Sequence, residues 1–126
     1  MKMNKFFIKL GIIGILLCGA SFSAEASRIK WEVFNLTYEQ KQEIQDLDSQ
    51  WQKINYAIRP GLIRDQQQLK LLLTNTDSTD NQIRELQKQI FSKQDQLRYE
   101  ALENFLSKRR LLTAKQRKML QKMLSE

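Results

Sequence analysis

After residue 26 the chain has helix-breaking residues at one place only, the adjacent Pro60 and Gly61. Nothing else in that stretch removes a backbone donor or favours a left-handed turn as these two do. No segment alternates apolar and polar residues with period two, so strands have no support. Apolar residues instead recur as Ile44, Leu47, Trp51, Ile54 and Ile58, one stripe of an amphipathic helix. The spacing predicts an all-α chain of about four helices. The first covers about 38–58. The second starts at Pro60, whose missing N–H costs nothing in a first turn, and runs to about Leu73, with Leu62, Ile63, Leu69, Leu72 and Leu73 as its apolar side. A polar connector, Thr74-Asn75-Thr76-Asp77-Ser78-Thr79, is dense in capping residues. A long third helix over about 80–110 carries Ile83, Leu86, Ile90, Leu97, Ala101 and Phe105. Gln94 interrupts its stripe, and Leu102 and Leu106 widen it. A short fourth helix, Ala114 to Leu124, gathers Met119, Leu120, Met123 and Leu124 on one face.

The third helix constrains the shape. About 30 residues at a rise of 1.5 Å span about 45 Å, whereas a compact domain of about 100 residues is roughly 34 Å across. Either the helix breaks near Gln94 or the molecule is an elongated, hairpin-like protomer. A thin helical layer leaves apolar surface uncovered, and pairing of the third helix with its mate in a second copy related by a two-fold axis is the simplest cover.

The N-terminus predicts export. Lys2, Lys5 and Lys9 precede an uncharged apolar run from Leu10 to Ala20, and Ala24-Glu25-Ala26 fits a small-x-small cleavage site. The run is shorter than the roughly 20 residues that a membrane span needs. Residues 1–26 are therefore read as a signal peptide cleaved after Ala26, and 27–126 as a single helical domain without stable membrane insertion. Leu17 stands where a lipobox wants a small residue, so Cys18 is read as an apolar residue of the signal. Cys18 is also the only cysteine, and its removal leaves a chain suited to an oxidising compartment without disulfide chemistry.

Removing Lys2, Lys5, Lys9 and Glu25 lowers the net charge from +7 to about +5. Basic excess often signals nucleic acid; export redirects it to acidic protein or membrane surfaces. The charges are also segregated. Glu32, Glu39, Glu43, Asp46 and Asp48 crowd the first helical region, while Lys108, Arg109, Arg110, Lys115, Arg117, Lys118 and Lys122 have no acidic neighbour between Asn104 and Ser125. One reading is two solvated faces that attract each other where the first and fourth helices pack. A second is a positive concave surface that draws in acidic or unfolded chains, and a third is binding to a membrane surface.

Catalysis has no residues to work with. The chain has no His, and beyond residue 26 no Cys, which removes the commonest general base and the strongest nucleophile. Pairs such as Glu39/Glu43 and Glu100/Glu103 lie at helical spacing on polar stretches and read as solvated charge. Zinc, nickel, cobalt and copper favour imidazole or thiolate. Met119 and Met123 sit beside Leu120 and Leu124 as packing residues rather than soft copper ligands. No catalytic, cofactor-binding or metal-binding residues are assigned.

One pattern remains, and it occurs twice: Leu36-Thr37-Tyr38-Glu39-Gln40 and Leu112-Thr113-Ala114-Lys115-Gln116. Thr followed three residues later by Gln has the spacing of a capping box, in which the hydroxyl accepts from the third helical N–H and the amide reaches back to the Thr N–H. Thr79 and Gln82 repeat the spacing without the Leu. Two such motifs, one near each end of a small exported helical chain, resemble the LTxxQ family of periplasmic proteins, which includes the Spy and CpxP chaperone-like proteins and related metal sensors. The resemblance runs from about Leu36 to the C-terminus. It implies an open, cradle-shaped antiparallel homodimer and an ATP-independent periplasmic chaperone that holds unfolded or misfolding exported proteins. The alternative it leaves open is a regulator that binds the periplasmic domain of an envelope-stress sensor kinase. The metal-sensing relatives rely on imidazole or thiolate ligands, which this chain lacks beyond residue 26; a metal-responsive sensor is the third reading, behind the other two and separated from them by metal titration. The candidate client-binding residues are Phe105, Lys108, Arg109, Arg110, Lys115, Arg117, Lys118 and Met119. The family motif residues are Leu36, Thr37, Gln40, Leu112, Thr113 and Gln116.

Overall fold

The computed structural model describes residues 29–126. The expected signal peptide and its cleavage site lie outside them. A short 3-10 helix, Trp31–Phe34, precedes three α-helices: α1 (Tyr38–Thr74), α2 (Asp80–Leu111) and α3 (Ala114–Ser125). The described residues contain no strand.

The expected division at Arg59-Pro60-Gly61 does not occur, and there are three α-helices rather than four. α1 is one helix of 37 residues with Pro60 inside it. Pro60 cannot donate to the Tyr56 carbonyl, a loss that typically costs a helix interior about 3 kcal/mol. Both Tyr56 and Pro60 are exposed, so the orphaned carbonyl is on the wet side of the helix. On the dry side the stripe continues without a phase break. Trp51 and Ile58 before the proline and Leu62, Leu69 and Leu72 after it all pack into one cluster with Leu86, Ile90 and Leu97 of α2. Packing on both sides of Pro60 holds the helix through it. Gly61 serves a second purpose. A Cβ there would lie 3.2 Å from Lys93 Cε, on the stem that carries the Lys93 ammonium to Asp65 at 2.5 Å.

α1 and α2 form an antiparallel hairpin, with α1 about 55 Å long and α2 about 48 Å. α2 passes through Gln94 unbroken, so the protomer is elongated. The turn is built from local side-chain bonds. Asn75 Oδ1 accepts from the Asp77 N–H at 2.9 Å. Thr79 caps α2 with its hydroxyl on the Gln82 N–H, while the Gln82 oxygen takes the Thr79 N–H. At the open end lies a second apolar cluster. Ile29, Phe34, Leu112 and Leu120 are buried, with Trp31, Leu36 and Phe105 packed against them. It is made from the two ends of the described chain and the end of α2.

Candidate functional site

The open end of the hairpin brings the two Leu-Thr-x-x-Gln motifs together. Thr37 is the N-cap of α1 and Thr113 the N-cap of α3, each with a complete capping box. In both, the Gln oxygen accepts from the cap N–H, at 2.9 Å for Thr37 and 2.8 Å for Thr113. A capping box needs nothing more from the Gln. Here the two side chains also face each other. The Gln40 amide donates to Gln116 Oε1 at 3.0 Å and to the Leu111 carbonyl at 2.8 Å. The Gln116 amide donates to Gln40 Oε1 at 3.3 Å and to the Phe34 carbonyl at 3.0 Å.

An amide side chain offers two donors and one oxygen with two lone pairs. In this clasp both donors and both lone pairs of both glutamines are used. A fully satisfied polar network in a part-buried place is worth more than its separate bonds. It also fixes the choice of Gln. Capping boxes accept Glu or Gln at this position, but a carboxylate would have no hydrogen for the facing oxygen or for the buried carbonyl.

The motif leucines close the same end from the apolar side: Leu112 is 3% exposed and Leu36 is half-buried. The Thr residues are exposed, as caps usually are. Asn35, between Phe34 and Leu36, takes a left-handed conformation with φ 55°. Asn tolerates that region better than most residues. The kink there leads the chain from the 3-10 helix into the cap of α1 and leaves the Phe34 carbonyl within reach of Gln116.

The basic run behaves less uniformly than its sequence suggests. Lys108 is buried, contrary to its place among the candidate client contacts. Its ammonium pairs with Asp48 of α1 and lies 5.3 Å from the Trp31 ring centroid. Trp31 in turn rests against Phe34 and Phe105. Lys108 thus ties α1, α2 and the N-terminal segment together and presents no free charge. Beside it Asn104 donates to the Leu47 carbonyl at 2.8 Å. Arg109, Arg110, Lys115, Arg117 and Lys118 are exposed, as is Met119. Arg109, Arg117 and Lys118 line an open groove of about 680 Å3 between the end of α2 and α3, together with Phe105, Leu120 and Leu124. Lys115, Arg110 and Met119 lie outside that lining. Among the described residues no ion pair joins α1 to α3. The pairs that cross between helices are Asp48–Lys108 and Asp65–Lys93, both between α1 and α2.

Sequence reasoning did not find the Gln–Gln exchange, the role of Trp31 and Phe34, or the partner of Lys108. A signal for the first was present: two capping glutamines, each with an uncommitted NH2 group, at the two ends of a hairpin-forming chain. The described residues hold no group of three or more His, Cys, Asp or Glu arranged for a metal. None of the described helices is long and apolar enough to cross a membrane. Comparison with protein-family models, with curated proteins and with solved structures gave no match.

Proposed function

We propose that this chain is an LTxxQ-type periplasmic chaperone that holds unfolded or misfolding exported proteins without nucleotide or metal. The observation that carries the reading is the groove at the open end. Apolar Phe105, Leu120 and Leu124 share it with Arg109, Arg117 and Lys118, and no acidic residue occurs between Asn104 and Ser125. Unscreened positive charge speeds encounter with acidic or unfolded chains. Apolar side chains and the aliphatic stems of Arg and Lys then give weak, adaptable contact. Export with cleavage after Ala26 belongs to this reading, and the intact mass of the periplasmic protein tests it.

A homodimer belongs to it too. The hairpin leaves Tyr56 and Ile63 of α1 and Phe91, Tyr99 and Leu102 of α2 exposed, apolar area that a second copy would cover. Light scattering across micromolar concentrations tests this, and a persistent single-protomer mass refutes it. The function itself is tested by aggregation of several unrelated, chemically unfolded clients at equimolar protein without ATP. Protection is expected, and raising salt should slow capture more than release. No protection for any client sinks the chaperone reading and favours a dedicated regulator of a sensor kinase.

A further inference from the structure

We propose that α3 is a lid on the apolar end of the hairpin, that the Gln40–Gln116 exchange is its latch, and that opening bares the cluster beneath it. Of α3's own residues only Gln116 and Leu120 are buried; every other residue from Ala114 to Ser125 is exposed. A helix of 12 residues is marginal in isolation, so α3 depends on those two contacts for its place. Gln116 supplies the polar one, to Gln40 and to the Phe34 carbonyl. Leu120 supplies the apolar one, into the cluster with Phe34 and Leu112.

The charge on α3 works against docking. Arg117 and Lys118 line one groove with Arg109 at the end of α2, and among the described residues no ion pair involves α3. The connection is suited to swinging. Leu112 and Thr113, with ψ of 146° and 165°, are two extended residues between helices, so rotation there leaves both helices intact. Segments with few buried contacts open at free energies well below global unfolding. An opened α3 uncovers Phe34, Phe105 and Leu112 beside the same basic residues that rim the groove. This rests on the chaperone reading for the identity of what then binds, an unfolded client. The opening itself needs no client to be measured.

Hydrogen exchange of the cleaved domain, followed amide by amide, is the test. In the native protein the amides from Arg117 to Leu124 should exchange with one common opening rate, at least tenfold faster than those of Leu86–Leu97. Raising salt should slow that opening, because it screens the repulsion. Gln116→Ala should speed exchange in α3 on the order of tenfold or more and leave Leu86–Leu97 unchanged. Fluorescence of a dye that binds apolar surface should rise in the same variant, and also in Gln40→Ala, which leaves α3 itself unaltered. Three results overturn the proposal. One is exchange in α3 as slow as in α2. Another is rates graded from the C-terminus inward without dye binding, which is fraying. The third is equal acceleration of both helices by Gln116→Ala. If α3 opens as described but no client is protected from aggregation, the lid stands and the chaperone reading falls.

Discussion

Replacing Gln116 by Glu separates a cap from a clasp. The carboxylate keeps the acceptor that the Thr113 N–H needs, and negative charge in the first turn favours the α3 dipole by about 0.3–1 kcal/mol. If Gln116 were only a capping residue, Gln116→Glu would be neutral or slightly stabilising. In the structure the Gln116 amide donates to the Phe34 carbonyl at 3.0 Å and to Gln40 Oε1 at 3.3 Å, and its oxygen accepts from Gln40 at 3.0 Å. The substitution deletes two donors and sets an anionic oxygen against two acceptors. Two lost bonds at about 1 kcal/mol each, plus about 1–3 kcal/mol for an unpaired buried carbonyl and less the dipole gain, give a loss of about 2–4 kcal/mol.

Gln82→Glu is the internal control. Gln82 has the same capping geometry with Thr79, is exposed, and has no Gln facing it. There the expected change is close to zero, so the two variants differ by nearly the whole of that loss. Urea unfolding followed by far-UV circular dichroism at constant m-value reads both. For a domain near 100 residues, a difference of about 2 kcal/mol corresponds to roughly 8–16 °C in Tm. The measured loss is capped by the free energy of undocking α3, so the contrast between the variants carries the test. Acid should partly restore Gln116→Glu. Its introduced carboxyl, facing acceptors, is harder to ionise folded than unfolded, so the deficit is present at neutral pH. The deficit shrinks as pH falls and the protonated group regains a donor. Equal stabilities for Gln116→Glu and Gln82→Glu would refute the clasp.

Thr37→Ala and Thr113→Ala should each cost about 1 kcal/mol, since each hydroxyl holds an N3 amide, at 3.1 and 3.2 Å; urea midpoints check this. Pro60→Ala should stabilise by about 1–3 kcal/mol, restoring a donor to the Tyr56 carbonyl, less the entropy that proline removes from the unfolded chain. A destabilised variant would mean that the proline is needed where it stands. Asp48→Asn should cost about 1 kcal/mol, modest because Asp48 is 47% exposed, with the loss smaller in high salt; the same unfolding assay decides it.

Local structure was readable from local pattern. The Thr-to-Gln spacings at 37/40, 79/82 and 113/116 form three capping boxes, because such a bond is made within one turn and needs no knowledge of the fold. The start of α2 at Asp80 followed from the same logic. Pro60 was misread because a proline followed by glycine is a strong local stop signal, and the force that overrides it is the seam with α2 more than 20 residues away. Lys108 looked like one more solvated cation in a basic run. Its burial depends on Asp48 and Trp31, 60 and 77 positions distant in sequence, and spacing arguments do not reach that far. The clasp failed to appear for the same reason, although the sequence held both of its halves.

The separation of 76 residues between Gln40 and Gln116 also has a consequence for the order in which the molecule assembles. Contacts between distant residues carry the largest loop-closure cost and depend on nearer ones having formed. The Asn75–Thr79 turn sits at the opposite end of the hairpin and is made of bonds spanning two or three residues. Pairing of α1 with α2 can start there and zip toward the open end, each turn of helix shortening the loop left for the next. The clasp then closes last, on a scaffold already aligned. It inherits none of the early folding nucleus, so substitutions in it should change the unfolding rate far more than the folding rate.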